Sequence, residues 1–259
     1  MCNDRRSARA WLQVRRGALP MIRLSVNLNK IALLRNSRGG NRPDVLAAAE
    51  TCVASGCHGI TVHPRPDERH TRAADVRELA RMLTVEFNIE GYPSPEWLDL
   101  VCEVRPAQAT LVPDEPGQLT SDHGWDLKSG RCAWLPAVVK RLKSLGIRTS
   151  LFLDADVEQV ALAGAVGADR IELYTQHYAE TYGTPGAAQV LAGYVAAAHR
   201  AGELGLGLNA GHDLNLQNLR HFARSIPGLL EVSIGHALIC DALERGLAAT
   251  VRAYVDQLA

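Results

Sequence analysis

Eight alternations of a short β-rich run with a longer amphipathic stretch, no hairpin signal between them, and no Gly-rich dinucleotide turn predict one fold class. It is α/β: a (β/α)8 TIM barrel, a single domain with extra helices. A doubly wound open sheet is the rival. It calls for a Gly-rich turn after the first strand, and Asn27-Leu28-Asn29-Lys30 is not one. The length of 259 residues suits one barrel, which typically needs about 250.

The strands are expected at 22–27, 59–63, 87–91, 107–113, 148–154, 170–175, 205–209 and 231–236. Most are apolar patches, as strands covered by helices should be. Helices are expected at 44–55, 73–83, 95–104, 135–145, 157–166, 187–204, 215–225 and 237–258. Asp44 and Pro95 sit where helices start, and Gly56, Gly146, Gly167 and Gly205 sit just past helix ends. Segment 34–40 reads as a loop after strand one, and 114–134 as a βα connection long enough to be a lid. Residues 1–20, with five arginines and one acid, read as a disordered N-terminal extension ahead of a barrel domain at 21–259.

Composition excludes several classes of function. Lys plus Arg equals Asp plus Glu at 28 each, so no overall field suits nucleic acid or an anionic membrane surface. No apolar run approaches the roughly 20 residues of a membrane span. The six cysteines form no C-x-x-C pair, which predicts a reduced, cytoplasmic interior without zinc or disulfides.

A parallel barrel builds its active site at the carboxyl ends of its strands. At or just beyond those ends stand Asn27, His63, Glu90, Pro113, Asp154, Glu172, the turn Asn209–His212 and His236. Three histidines and three carboxylates at one mouth suit proton transfer. Asp154 also reads as a structural cap for the helix that follows. Anion binding has three candidate parts: the Gly211 and Gly235 turns, Arg35 and Arg38 after strand one, and Arg65 with His70 after strand two. Together they imply a substrate set with more than one phosphate.

The ordered motifs are Val26-Asn27-Leu28-Asn29-Lys30-Ile31-Ala32, Leu34-Arg35-Asn36-Ser37-Arg38-Gly39, Gly59-Ile60-Thr61-Val62-His63-Pro64-Arg65, Arg69-His70 and Asn88-Ile89-Glu90. They continue with Leu111-Val112-Pro113, Leu151-Phe152-Leu153-Asp154, Asn209-Ala210-Gly211-His212 and Ile234-Gly235-His236-Ala237. In this order and spacing the chain resembles the pyridoxine 5′-phosphate synthase family from about Met21 to its end. The resemblance implies condensation of 1-deoxy-D-xylulose 5-phosphate with 3-amino-2-oxopropyl phosphate to pyridoxine 5′-phosphate, phosphate and water. It implies no metal or organic cofactor, and a homo-oligomer, usually an octamer.

By that similarity His63 and Glu90 are proton acceptors, His212 is a proton donor and Glu172 stabilises charge. Asn27, Arg38, Gly235 and His236 would hold the aminooxopropyl phosphate. Arg65, His70 and Thr120 would hold the deoxyxylulose phosphate. Asn29, Lys30 and Asp213 occupy substrate-binding positions but depart from the common Asp, His and Gly. Lys30 keeps a cationic donor, and Asp213 is expected to turn outward. Two other functions are weighed: a Schiff-base aldolase using Lys30 as nucleophile, and a non-catalytic sugar-phosphate-binding barrel. Borohydride trapping would mark the first. Equal effects of Glu90→Gln on turnover and affinity would mark the second.

Overall fold

A computed structural model describes residues 21–114, 118 and 121–259. Eight parallel strands close in sequence order into a barrel: β1 (Arg23–Asn27), β2 (Gly59–Val62), β3 (Glu86–Gly91), β4 (Gln108–Leu111), β5 (Arg148–Leu153), β6 (Arg170–Tyr174), β7 (Gly207–Gly211) and β8 (Leu229–Ile234), with β8 pairing back onto β1. Around them run α1 (Asn29–Asn36), α2 (Val45–Ala54), α3 (Ala73–Met82), α4 (Pro95–Val104), α5 (Leu135–Ser144) and α6 (Val157–Val166). Next come α7 (Gln176–Thr181), α8 (Ala187–Glu203), α9 (Leu219–Ser225), α10 (His236–Arg245) and α11 (Leu247–Leu258).

Period-two alternation sorts the strand residues. Leu24, Val26, Ile60, Val62, Ile89, Leu111, Leu151, Leu153, Ile171, Leu173, Val232 and Ile234 are buried in the apolar core that includes the helices. Each contributes about 1.5–3 kcal/mol by leaving water. Their neighbours in sequence bond to one another across strands. Ser25 meets Thr61 at 2.7 Å, Thr110 donates to Asn88 at 3.0 Å, and Arg148 donates to Gln108 at 2.9 Å. The barrel interior is therefore polar, and its helix-facing side carries the apolar packing.

Helix starts follow the local chemistry. The Asp44 carboxylate accepts from Leu46 and Ala47 at the start of α2, and Ser94 accepts from Trp97 ahead of Pro95 in α4. Asp156, not Asp154, caps α6, so the capping role considered for Asp154 falls to its neighbour. Asp154 instead accepts from the Gly124 N–H at 3.3 Å.

Several expectations need correction, among them the helix expected from residue 215, which begins at Leu219. The stretch read as a loop from residue 34 is helical through Asn36, because the Asn27 side chain accepts from the Asn29 N–H at 3.0 Å and starts α1 directly off the strand. Strand β7 lies two residues later than expected, since Gly205 takes φ +69° to close the turn after α8. Strand β8 begins earlier, at Leu229, and gives way to α10 at His236. The final helix is two helices, broken at Gly246 with φ +80°.

Within 114–134, residues 115–117, 119 and 120 lie outside the described residues. Trp125 anchors the following part: its backbone N–H bonds Phe152 and its indole N–H bonds Leu111, both across strand ends. Among the described residues, no helix is long and apolar enough to cross a membrane.

Candidate functional site

The carboxyl ends of the strands bring the sequence-selected residues to one mouth. Asn27 ends β1. Its amide donates to Glu90 at 3.3 Å, while its oxygen starts α1. The Asn29 oxygen accepts from the His63 backbone N–H at 2.8 Å and from Thr71 at 3.0 Å, so Asn29 braces the end of β2 against α1. His63 is buried, and its ring stands edge-on to His70 at 5.9 Å. Glu90 comes from β3 and is 3% exposed. Besides Asn27, it faces the Ser233 hydroxyl of β8 at 3.5 Å.

Glu172 of β6 is 1% exposed, and among the described residues neither carboxyl oxygen has a hydrogen-bond partner. Gly211 at the end of β7 explains how the acid fits. A Cβ there would stand 2.3 Å from Glu172 Oε1. The next two residues, His212 and Asp213, take left-handed φ of +74° and +58°. A non-glycine pair in that region costs energy. Here it swings the His212 ring against Phe152 and Tyr174, at 5.0 and 5.4 Å, and leaves buried Nδ1 without a partner. Thr175 ties the turn down by donating to the Gly211 and His212 carbonyls.

Burial governs the titration of these groups. It pushes Glu90 up to about 8, with the Asp114 charge adding to the effect. It pushes Glu172 well above the usual carboxylate range, reinforced by Glu90 and Glu231. The imidazoles move the other way. His63 falls well below its usual value through burial and then the Arg65 charge, and it also feels His70 and His212. His70 falls to about 4 through burial and Arg65, and His212 to about 4 through burial and Lys30. At neutral pH Glu90 and Glu172 are protonated beside neutral His63, His70 and His212. That arrangement supplies acids and bases together without a fixed charge on either.

The anion-binding candidates separate. Gly235 precedes α10, and a Cβ there would lie 3.0 Å from that of Asn27. The bare backbone therefore leaves the N–H groups at the start of α10 close to the mouth, with His236 as its first residue. Lys30 is half-buried and electrostatically coupled to His70 and His212. Arg38 is exposed on the turn after α1. Arg35 is a correction: it is 2% exposed and forms a two-pronged pair with Asp75 at 2.6 and 2.8 Å, so its charge is already spent inside the fold. Asp213 does not turn fully outward. It is half-buried, with burial raising its carboxyl and the His236 charge opposing that shift. Thr120 lies outside the described residues.

Arg65 is buried against a residue the strand-end reading stopped short of. Asp114, one position past Pro113, pairs with the Arg65 guanidinium. An acid directly after the apolar exit of β4, facing the Arg-rich exit of β2, was the available signal. Ser233 and Glu231 were missed as well, because they precede the end of β8. A cavity of about 440 Å³ opens beside the mouth, walled by His63, Arg65, Tyr92, Trp97 and Asp114. Among the described residues, no group of three or more His, Cys, Asp or Glu could hold a metal ion.

Residues 24–259 match the family model described as pyridoxal phosphate biosynthesis protein PdxJ. A pyridoxine 5′-phosphate synthase of Bacteroides thetaiotaomicron is 56% identical over 238 residues, covering 92% of this chain and 100% of the relative. One of Porphyromonas gingivalis is 56% identical over 239 residues, with 92% and 100% covered. A solved tryptophan synthase structure from Mycobacterium tuberculosis superposes with TM-score 0.61 at 14% identity, covering 92% of this chain and 93% of that one. That last likeness carries the fold alone.

Proposed function

The chain belongs to the PdxJ family of pyridoxal phosphate biosynthesis proteins, and from that membership we propose that its barrel mouth closes the pyridine ring of pyridoxine 5′-phosphate. It is an enzyme of vitamin B6 biosynthesis. The substrates are 1-deoxy-D-xylulose 5-phosphate and 3-amino-2-oxopropyl phosphate, and phosphate and water leave. The observation that carries this reading is the convergence of His63, Glu90, Glu172 and His212 from four separate strand ends, as two electrostatically linked pairs, His63 with His212 and Glu90 with Glu172.

The chemistry needs both kinds of group. Joining an amine to a ketone and expelling water requires a base for the nitrogen proton and an acid for the leaving oxygen. Each later elimination repeats that demand at a carbon and an oxygen. Neutral His63 and His212 begin as acceptors, and protonated Glu90 and Glu172 begin as donors. Glu90 therefore gives up a proton before it serves as acceptor, and His212 takes one before it serves as donor. Glu172, with no partner for either oxygen, is free to follow the charge of the reacting ring.

Asn27, Arg38, Gly235 and His236 hold the aminooxopropyl phosphate, the start of α10 meeting its phosphate. Arg65, His70 and Thr120 hold the deoxyxylulose phosphate, with Asn29 and Lys30 beside them and Asp213 near the amine-bearing substrate. The reading extends to a barrel domain at 21–259 preceded by an extension, a cytoplasmic setting and self-association, with an octamer the expected size. Exposed Leu33 and Leu34 on α1 offer apolar surface for such contacts.

Mixing the purified chain with both phosphorylated ketones, without added metal, tests the reading by the appearance of the pyridine chromophore. A product-free mixture, or activity lost on chelation, would overturn it. Borohydride trapping of substrate on Lys30 would redirect it to the aldolase alternative.

A further inference from the structure

We propose that Asp114 is a positioning residue. Through its buried pair with Arg65 it fixes the guanidinium in the wall of the mouth, and it sets a second carboxyl group near Glu90. The proposal deepens the reading above and rests on it for the role of Glu90.

The geometry is that of a built site. The side chains of Arg65 and Asp114 are 7% and 1% exposed. Asp114 Oδ2 accepts from the Arg65 guanidinium and from the Ser121 hydroxyl at 2.6 Å. A second Arg65 nitrogen donates to the Gln118 carbonyl at 2.8 Å. The guanidinium is thus held on two sides by the connection after β4 although it belongs to the connection after β2. Among the described residues Asp114 Oδ1 is buried with no hydrogen-bond partner, an expensive arrangement for a carboxylate whose only duty is packing. Both residues line the cavity that opens onto His63.

Glu90 is the acid that feels this pair. Around it stand Asn27 from β1, Arg65 after β2, Asp114 after β4, and Ser233 and Glu231 from β8, with Glu172 of β6 coupled to it. Arg65 and Asp114 act on Glu90 with opposite signs, so the pair sets how readily Glu90 releases its proton. A phosphoester drawn to Arg65 meets a guanidinium that Asp114 already holds in place and brings a further negative charge to it. Binding of the sugar phosphate is in this way tied to the readiness of Glu90.

The test is direct titration of the Glu90 carboxyl by infrared difference spectroscopy, each variant against its own Glu90→Gln control. It needs no turnover, so its outcome is separable from that of the chromophore assay. Asp114→Asn should lower the Glu90 midpoint by about one pH unit or more, Asp114→Glu should restore it, and Arg65→Gln should raise it. Calorimetric binding of 1-deoxy-D-xylulose 5-phosphate should weaken about tenfold in Asp114→Asn, while that of 3-amino-2-oxopropyl phosphate stays as in the parent. If Asp114→Asn does not fold, Asp114→Ser removes the same charge with less bulk. An unchanged Glu90 midpoint in a folded neutral variant would overturn the proposal. So would a chain that folds with neither replacement, since the carboxylate would then be structural.

Discussion

The two ends of the barrel interior are built from the same residue types and treat them in opposite ways. At the amino-terminal end Glu86 is paired with both Arg23 and Arg148, Arg148 also holds Gln108, and Arg170 reaches Asn209. At the carboxyl-terminal end, among the described residues, Glu172 has no partner, His212 and His70 each leave a ring nitrogen unmet, and Glu90 makes two long contacts. Glu86 at the first end is neutralised by its neighbours and Glu90 and Glu172 at the second by protonation, while Asp114 at the second end is paired with Arg65. Pairing spends a group on the fold. An unpaired buried group costs stability and remains available for chemistry.

The contrast is broken most directly by removing a mouth acid. Glu90→Gln or Glu172→Gln should reduce kcat by about 10²–10⁴-fold, the range for a lost proton-transfer group, with far smaller changes in substrate affinity. Equal losses in both would return the mouth to plain binding. Gly211→Ala places a Cβ against the Glu172 carboxylate and should cost about 10²-fold in turnover by displacing it, with secondary structure intact by circular dichroism. Unchanged turnover would mean that the position of Glu172 is unimportant.

At the other end, Glu86→Gln leaves Arg23 and Arg148 without their shared acid. Denaturant unfolding should show a loss of about 2 kcal/mol, below the usual cost for a fully buried pair because Arg23 is half-exposed, and kcat should hold. The smallest effect sharpens the comparison. A carboxyl whose folded value lies above its unfolded value stabilises the protein fully below the unfolded value, and that stability is lost as pH rises through the folded one. For Glu90 the loss spans the range from ordinary carboxylate values up to about 8. Glu90→Gln should therefore raise the melting temperature by a few degrees near pH 8, with little gain near pH 4. The same mutation that stops turnover is expected to stabilise the fold.

Much of this was legible in the sequence because it depends on local pattern. The barrel follows from eight alternations, and strand-end polarity picked out Asn27, His63, Glu90, Glu172 and His236. What stayed hidden depends on partners distant in sequence. Arg35 looked like a loop cation until Asp75, 40 residues away, claimed it. Asp114 looked like the start of a loop until Arg65, 49 residues away, gave it a reason to be buried. The polar interior layer was masked because Arg148, Glu86 and Gln108 sit at strand starts, where charge reads as solvent exposure. The left-handed backbone at His212 and Asp213 had no glycine to announce it.

The most direct test of the account is the protonation state of Glu90 itself. Infrared difference spectra of the ligand-free chain, parent minus Glu90→Gln, should retain a protonated carboxyl band through neutral pH and lose it near pH 8. A carboxylate already ionised at neutral pH would mean that the mouth carries no stored proton, and its division into neutral bases and protonated acids would be wrong.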